Sequence, residues 1–204
     1  MKLRHALLFL PVLLILAPGR AEAGKFYLGG SVSQSSVDIS LSDIDDGSIT
    51  SGSADNTDKG WKGFVGFRLF KFVAIEADKI DVGEVSISAV SDGSVLPIPP
   101  NFAAGDVAAT IDLDGYRLSA LAALPIGKRF SVFARFGYFE WDIVTSVTND
   151  GVTTTDVASD TDEFYGAGVA WKFKGGTSLR VEYETMTLDS TDVDIASVGL
   201  AFGF

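Results

Sequence analysis

The chain has 204 residues, 47% of them hydrophobic and 11% aromatic, with no cysteine and a single histidine, His5. That excludes disulfides, thiolate metal sites and cysteine nucleophiles. A formal net charge of −11 argues against a nucleic-acid partner, and 22 glycines with 15 phenylalanines are a β composition rather than a helical one.

The N-terminus reads as a processing signal. Lys2 and Arg4 precede an apolar run from Ala6 to Leu16 that only Pro11 interrupts, and Ala21-Glu22-Ala23 is a small-x-small cleavage site. The run is too short for a membrane-spanning helix, which needs about 20 apolar residues. Residues 1–23 are therefore expected to be a cleaved signal peptide, and residues 24–204 a single domain. Removing residues 1–23 leaves 181 residues, with 13 basic groups against 26 acidic ones and no histidine. No later segment is an apolar run of helical membrane length, which suits a secreted soluble protein or a barrel that crosses with alternating strands.

Eight strands follow in order, each with two unlike faces. The first is Lys25–Ser36, with Phe26, Leu28, Gly30 and Val32 opposed to Tyr27, Gly29, Ser31 and Ser33. A polar loop, about Val37–Lys59, leads to the second, Gly60–Phe70, with Val65 and Phe67 opposed to Lys62, Phe64, Gly66 and Arg68. Lys71 turns into the third, Phe72–Val82, with Val73 and Ile75 opposed to Ala74, Glu76 and Asp78. A long loop, Gly83–Ala109, carries Pro97, Pro99 and Pro100 and so cannot be a central strand.

The fourth strand is Thr110–Leu124, with Tyr116 and Leu118 opposed to Arg117, and Pro125 to Lys128 make its turn. The fifth is Phe130–Ile143, with Val132, Phe136 and Tyr138 opposed to Arg135. A third loop, Val144–Asp160, contains Asn149-Asp150-Gly151. The sixth is Thr161–Phe173, the seventh Thr177–Leu188, and the eighth begins at Ala196 and runs to Phe204. In the eighth, Val198, Leu200, Phe202 and Phe204 face away from Ser197, Gly199, Ala201 and Gly203.

Connections after strands two, four and six are short, and those after one, three and five are long. Short turns at one end and long loops at the other belong to outer-membrane barrels. The charges Arg68, Glu76, Asp78, Arg117, Arg135, Lys172, Arg180, Glu182 and Glu184 all fall opposite the large apolar face. In a soluble, lipocalin-like barrel the apolar face would line the inside. An eight-stranded barrel has room inside only for side chains, and the charged face is the one dotted with glycine: Gly66, Gly137, Gly166, Gly168 and Gly199. The nine charges are therefore expected to form an interior network, with the aromatic face in lipid. Phe70, Phe72, Phe130, Trp171 and Phe202 toward the turns, and Tyr116, Tyr138 and Tyr165 toward the loops, read as two interfacial girdles. The fold class is an all-β, eight-stranded antiparallel up-and-down transmembrane β-barrel.

The signal peptide, the Phe26-Tyr27-Leu28-Gly29-Gly30 opening, Gly63-Phe64-Val65-Gly66-Phe67-Arg68, Phe136-Gly137-Tyr138 and the alternating strand ending at Phe204 together resemble the small eight-stranded outer-membrane proteins of Gram-negative bacteria. That group includes the transmembrane domain of outer-membrane protein A and the OmpX type. The resemblance implies an outer-membrane location, contact with outer-membrane lipid and lipopolysaccharide, and a monomer. It also implies that Phe202 and Phe204 form the signal read by the barrel-assembly machinery. Nothing follows Phe204, so it implies no appended peptidoglycan-binding domain.

Some small outer-membrane barrels are enzymes that rely on an imidazole to take the proton. A mature chain without histidine cannot do so. Glu182 and Glu184 could act as paired acids, but their expected role is ion pairing with Arg180, Arg135 and Arg117, since buried charges persist when paired. Asp43-Ile44-Asp45-Asp46-Gly47-Ser48 loosely resembles a calcium loop but lacks its glycine spacing and closing glutamate. No cofactor is expected. The stretch Val95 to Ala104 is apolar for an exposed loop, and packing onto the barrel rim, membrane contact or a hydrophobic ligand would each explain it. Two functions remain: a structural or surface-interaction barrel with a plugged interior and long acidic outer loops that meet host or surface ligands, or a narrow channel for ions or small solutes, hydrophobic ones included.

Overall fold

The computed structural model describes residues 25–41, 47–94, 102–188 and 191–203. The described residues form nine strands: β1 (Phe26–Val37), β2 (Ile49–Asp55), β3 (Thr57–Phe70), β4 (Val73–Ser91), β5 (Gly105–Ile126), β6 (Phe130–Asn149), β7 (Val152–Lys172), β8 (Thr177–Leu188) and β9 (Thr191–Gly203). All pairings are antiparallel. β1 bonds both β3 and β9, and β4 bonds β5, so β1 and β3–β9 close a ring of eight. Closure leaves no edge at membrane depth, which a lipid solvent requires.

The ninth strand corrects the expected first loop. β2 pairs with the outer part of β4, from Ile49↔Ser91 to Asp55↔Ser86. β3 continues on the same neighbour from Trp61↔Asp81. β2 is thus the outward continuation of β3, separated from it by Asn56, whose side-chain amide donates to the Ile39 carbonyl at 2.8 Å.

The third expected loop is corrected as well. β6 and β7 stay paired out to Asn149↔Val152, and Val144–Asp160 is the upper part of one long hairpin. Its two-residue tip places Asp150 at φ 50° and Gly151 at φ 72°, the left-handed pair that a tight hairpin turn uses. Thr148 and Thr153 hydroxyls bond across it at 2.8 Å, and Ser146 and Thr155 at 3.2 Å. Likewise β4 and β5 run about nine and five residues further into the second loop than expected, pairing out to Ser91↔Gly105. The outer wall is therefore uneven. β7 meets β8 only from Phe164↔Met186 inward, so among the described residues Val152–Glu163 pair with β6 alone.

Alternation sorts the faces. Val32, Val65, Leu118, Phe136, Val181 and Val198 are exposed on the outside of the ring, an apolar belt that soluble proteins do not display but lipid accommodates. Phe70, Phe72, Trp171 and Phe202 are exposed at the turn end, and Tyr116, Tyr138 and Tyr165 at the other.

Inside, the expectation of a small and polar wall holds only in part, because the lumen is layered. Toward the turns lie Tyr27, Phe64, Leu121 and Phe133. Toward the outer end lies a larger apolar group that includes Ile80, Leu113, Phe139, Trp141, Met186 and Ile195. Glycines make room for this crowding: a Cβ on Gly66 would run into the Tyr27 ring, and one on Gly168 into Phe133. Phe102, at the end of the second loop, is buried against Ala89 and Val107 on the outer extension. The rest of that apolar stretch, residues 95–101, lies outside the described residues, as do the signal segment 1–23, the calcium-like 43–46 and Phe204.

Candidate functional site

Between the two apolar layers sit eight charged side chains from five strands. Lys62 comes from β3, Glu76 and Asp78 from β4, Arg117 from β5, Arg135 from β6, and Arg180, Glu182 and Glu184 from β8. Each points inward because it lies in phase with the inner face of its strand. All eight are buried, Glu76 and Glu184 completely.

Arg135 is the hub. Its Nη1 lies 2.8 Å from Glu184 and 3.2 Å from Glu182, and its Nη2 2.8 Å from Asp78 and 3.2 Å from Glu76. Arg117 reaches Asp78 with Nε at 2.6 Å and Glu184 with Nη2 at 3.3 Å. Lys62 Nζ bridges Glu182 at 2.9 Å and Glu184 at 3.0 Å. Arg180 reaches Glu76 with Nη1 and Glu182 with Nε, both at 2.7 Å. Four cations thus face four carboxylates, so the layer is neutral as a whole. That balance lets charges persist away from water.

Aromatic rings clamp the guanidinium groups from both sides. Arg117 lies 4.5 Å from the Phe164 centroid, and Arg135 5.1 Å from the same ring. Arg180 is held between Phe64 at 4.6 Å and Phe133 at 4.9 Å. These are cation–π distances, and they tie the charge layer to the apolar layers above and below it.

Of the nine charges expected inside, the structure brings seven into this layer. Arg68 and Lys172 stand apart, at the turn-side mouth, with exposed side chains. They share the inward phase of the others but lie deeper along their strands, past the layer. Lys62 is the member missed. Its phase, alternating with Trp61 and Gly63, marks it as inward, but it lies at the start of its predicted strand, next to a polar loop. Phe202 is exposed on the outer face of β9.

Two cavities flank the layer and share no lining residue. The turn-side one, about 110 Å³, includes Tyr27, Arg68, Lys172 and Arg180. The outer one, about 230 Å³, is mostly apolar, with Val82, Leu113, Trp141 and Val193 in its wall.

Beyond the layer toward the outer end, Lys59 and Lys79 are the only cations among the described residues, and the rest of the charge is acidic. Near the outer end of β3, Asp58 accepts from the Glu84 amide at 2.8 Å. The backbone amides of Glu84 and Lys59 hold its carboxyl below the usual carboxylate range. Asp112 is pushed the other way, up, by partial burial and then by the neighbouring charges of Asp81, Asp114 and Asp58. Among the described residues no group of three or more acidic or histidine side chains is arranged to hold a metal ion.

The model of the outer membrane protein beta-barrel domain family matches residues 6–204. Among solved structures, the attachment invasion locus protein Ail of Yersinia pestis is 16% identical with a TM-score of 0.55, over 89% of this chain and 99% of that one. Ail has also been solved in complex with the heparin analogue sucrose octasulfate. Neisserial surface protein A is 12% identical with a TM-score of 0.54, over 90% of this chain and 100% of that one. OprG of Pseudomonas aeruginosa is 12% identical with a TM-score of 0.53, over 89% and 96%. At such identities the likeness is one of fold. No curated protein matches the sequence.

Proposed function

The chain belongs to the outer membrane protein β-barrel family, and from that premise we propose that it is a closed barrel of the outer membrane that works through its outer surface rather than through its lumen. One observation carries this reading: eight mutually paired charges lie across the lumen, each buried, between two cavities that share no wall. Ions crossing the barrel would have to part these pairs in a low dielectric, at a cost of several kcal/mol per uncompensated charge.

The projecting strands β2, β4, β5, β6 and β7 supply the working surface. Their charge is acidic, so the partner they suit is cationic. The polysulfated ligand solved with Ail does not carry over, because this outer end would repel it. Lipopolysaccharide and the other outer-membrane lipids meet the apolar belt and its girdles. Residues 1–23 act as a cleaved export signal ahead of the barrel domain 24–204. Phe202 and Phe204 serve as the assembly signal, and the barrel works as a monomer.

A catalytic role is not part of this reading. Glu182 and Glu184, the one carboxylate pair that suggested acid–base work, are engaged by Lys62, Arg135, Arg180 and Arg117 rather than open to a substrate. The test is solute release from liposomes that carry the mature chain at known density. Release of small sugars and ions no faster than from empty liposomes is expected. Release that rises in proportion to the inserted protein would favour the channel reading, in which the Arg/Glu layer is a selectivity lining.

A further inference from the structure

We propose that the outer segment of β7 is a docking edge for an extended segment of a partner protein, in which one apolar side chain is flanked, two residues to either side, by Lys or Arg. The inference rests on the surface role above and names its partner.

The first observation is backbone. β7 meets β8 only from Phe164↔Met186 inward, and among the described residues Val152–Glu163 pair with β6 alone. Alternate residues therefore offer N–H and C=O groups along an open edge, the template on which a further strand adds. β6 holds the other side of β7 as far as the tip turn at Asp150 and Gly151. The edge is thus presented already extended, which spares the ordering cost on this side of the contact.

The second observation is a pocket beside that edge. The outer cavity, about 230 Å³, is walled in part by Ile143 and Thr145 on β6, Ala158 on β7, Leu188 at the end of β8 and Thr191 at the start of β9. It spans the break in the wall, because Ala158 and Leu188 line one space without a strand pairing between them. A strand added to β7 sets the residue opposite Ala158 on the same face, with Cβ atoms about 5 Å apart, so its side chain enters the cavity. An apolar cavity of about 150 Å³ takes a benzene, and this larger one takes a Leu or Phe side chain. Ile80, Phe139 and Met186, each at most 1% exposed, lie beneath it. The space therefore ends in a floor and suits an anchor rather than a passing solute.

The third observation is charge. Asp156 and Asp160 stand two residues to either side of Ala158 and share its face. Both are exposed. Asp160 accepts from the adjacent Thr161 amide at 2.7 Å, and Lys79 is taken by Asp114 at 3.2 Å. Asp162, the next in phase, is engaged by the Trp141 indole N–H at 2.9 Å. The positions opposite Asp156 and Asp160 therefore suit Lys or Arg. The same acids disfavour a second copy of this chain. Two β7 edges paired antiparallel about Ala158 would set Asp156 of one against Asp160 of the other, like charges directly opposite.

The experiment uses the mature chain in phosphatidylcholine nanodiscs and a synthetic Thr-rich peptide of pattern Lys-x-Leu-x-Lys, followed by calorimetry and hydrogen exchange. One saturable site is expected, with new protection confined to Val152–Glu163. Losing two opposite-charge pairs in Asp156→Asn/Asp160→Asn should weaken it about tenfold. Asp112→Asn/Asp114→Asn, with the same change in net charge, should leave it intact. Replacing the peptide's Leu by Ser should weaken it too. Because one edge of the peptide pairs, N-methylation of one set of alternate peptide residues should abolish binding and of the other set should not. No saturable binding, equal weakening in both double variants, indifference to N-methylation, or protection that appears elsewhere would each overturn the proposal. So would octanol filling the cavity of a barrel that ignores the peptide, or β7-to-β7 cross-linking of two barrels. Peptide binding by a barrel that leaks solute from liposomes supports the docking edge and overturns the closed lumen. Tight liposomes with no peptide binding overturn the docking edge and leave the closed lumen standing.

Discussion

Arg135 on β6 and Glu184 on β8 are joined on the inner face of the wall, Nη1 to carboxylate, at 2.8 Å, with no exposure of either side chain to solvent. They face each other over β7, where Gly166 lies directly between them in register and contributes no side chain. Arg135 also reaches Glu182, Asp78 and Glu76. A single guanidinium thus organises all four acids.

Reversing that charge is the severest single change to the layer. Arg135→Glu would set five carboxylates against three cations with no water to screen them. Losing one partner of a buried pair costs roughly 3–5 kcal/mol, and the reversal adds repulsion on top. Loss of the folded band in heat-modifiable electrophoresis after refolding is expected. Assembly at the wild-type level would contradict the inward placement of Arg135.

The wall glycines give a steric prediction. A Cβ at Gly168 would press on the Phe133 ring, the Val181 carbonyl and the Glu182 side chain. Phe133 in turn holds Arg180. Gly168→Ala is expected to cost about 1–3 kcal/mol, the usual range for overpacking, read as a lower urea midpoint in lipid vesicles. By contrast, Gly127 has open space around it but a φ of 73°, so Gly127→Ala acts through backbone strain alone and is expected to cost about 1–2 kcal/mol.

How much of this was legible in the sequence depends on what water does to each segment. Where one face meets lipid and the other the lumen, alternation is strict, and the ring of eight is readable strand by strand. Where both faces meet water, as in Val144–Asp160, the period fades and a long hairpin reads as loop. Depth is harder than phase. Arg68 and Lys172 share the inward phase with Glu76 and Arg135, but phase cannot say that they lie past the charge layer, in the mouth. Lys62 was readable by phase and hidden by its place beside a polar stretch. The Phe139, Trp141 and Met186 group was obscured for another reason: large apolar residues inside were not expected of a barrel whose outside is also apolar.

The outer wall carries a pH prediction. The Asp112 carboxyl sits above its ordinary value because of partial burial and the charges of Asp81, Asp114 and Asp58. For an acid raised on folding, the charged form is the disfavoured one, so its destabilising contribution is present at neutral pH and is relieved as pH falls through the raised value. Asp58 is lowered by backbone amides, so its favourable contribution is present above the ordinary carboxylate pKa, about 3.9, and fades as pH falls through the lower folded one. Asp112→Asn is expected to raise the melting temperature at pH 7 and to flatten the gain on mild acidification. Asp58→Asn is expected to lower it at pH 7, with the difference shrinking in acid. Melting curves from pH 3 to pH 8 in one detergent would check both signs.

The unpaired outer edge of β7 should be visible as motion. Between Val152 and Glu163, alternate amides have no β8 partner, whereas Gly166 to Lys172 are bonded on both sides. Fast hydrogen exchange at every other residue of the outer segment, and strong protection from Gly166 inward, is the expected pattern. Uniform protection from Val152 to Lys172 would mean that something covers that edge.

The closed lumen is the centre of the account, and single-channel recording tests it most directly. The refolded mature chain, inserted in a planar bilayer at neutral pH, is expected to be electrically silent while its strands resist protease. Steady, reproducible openings of defined conductance would contradict the plug and make the Arg135–Glu184 layer the lining of a pore.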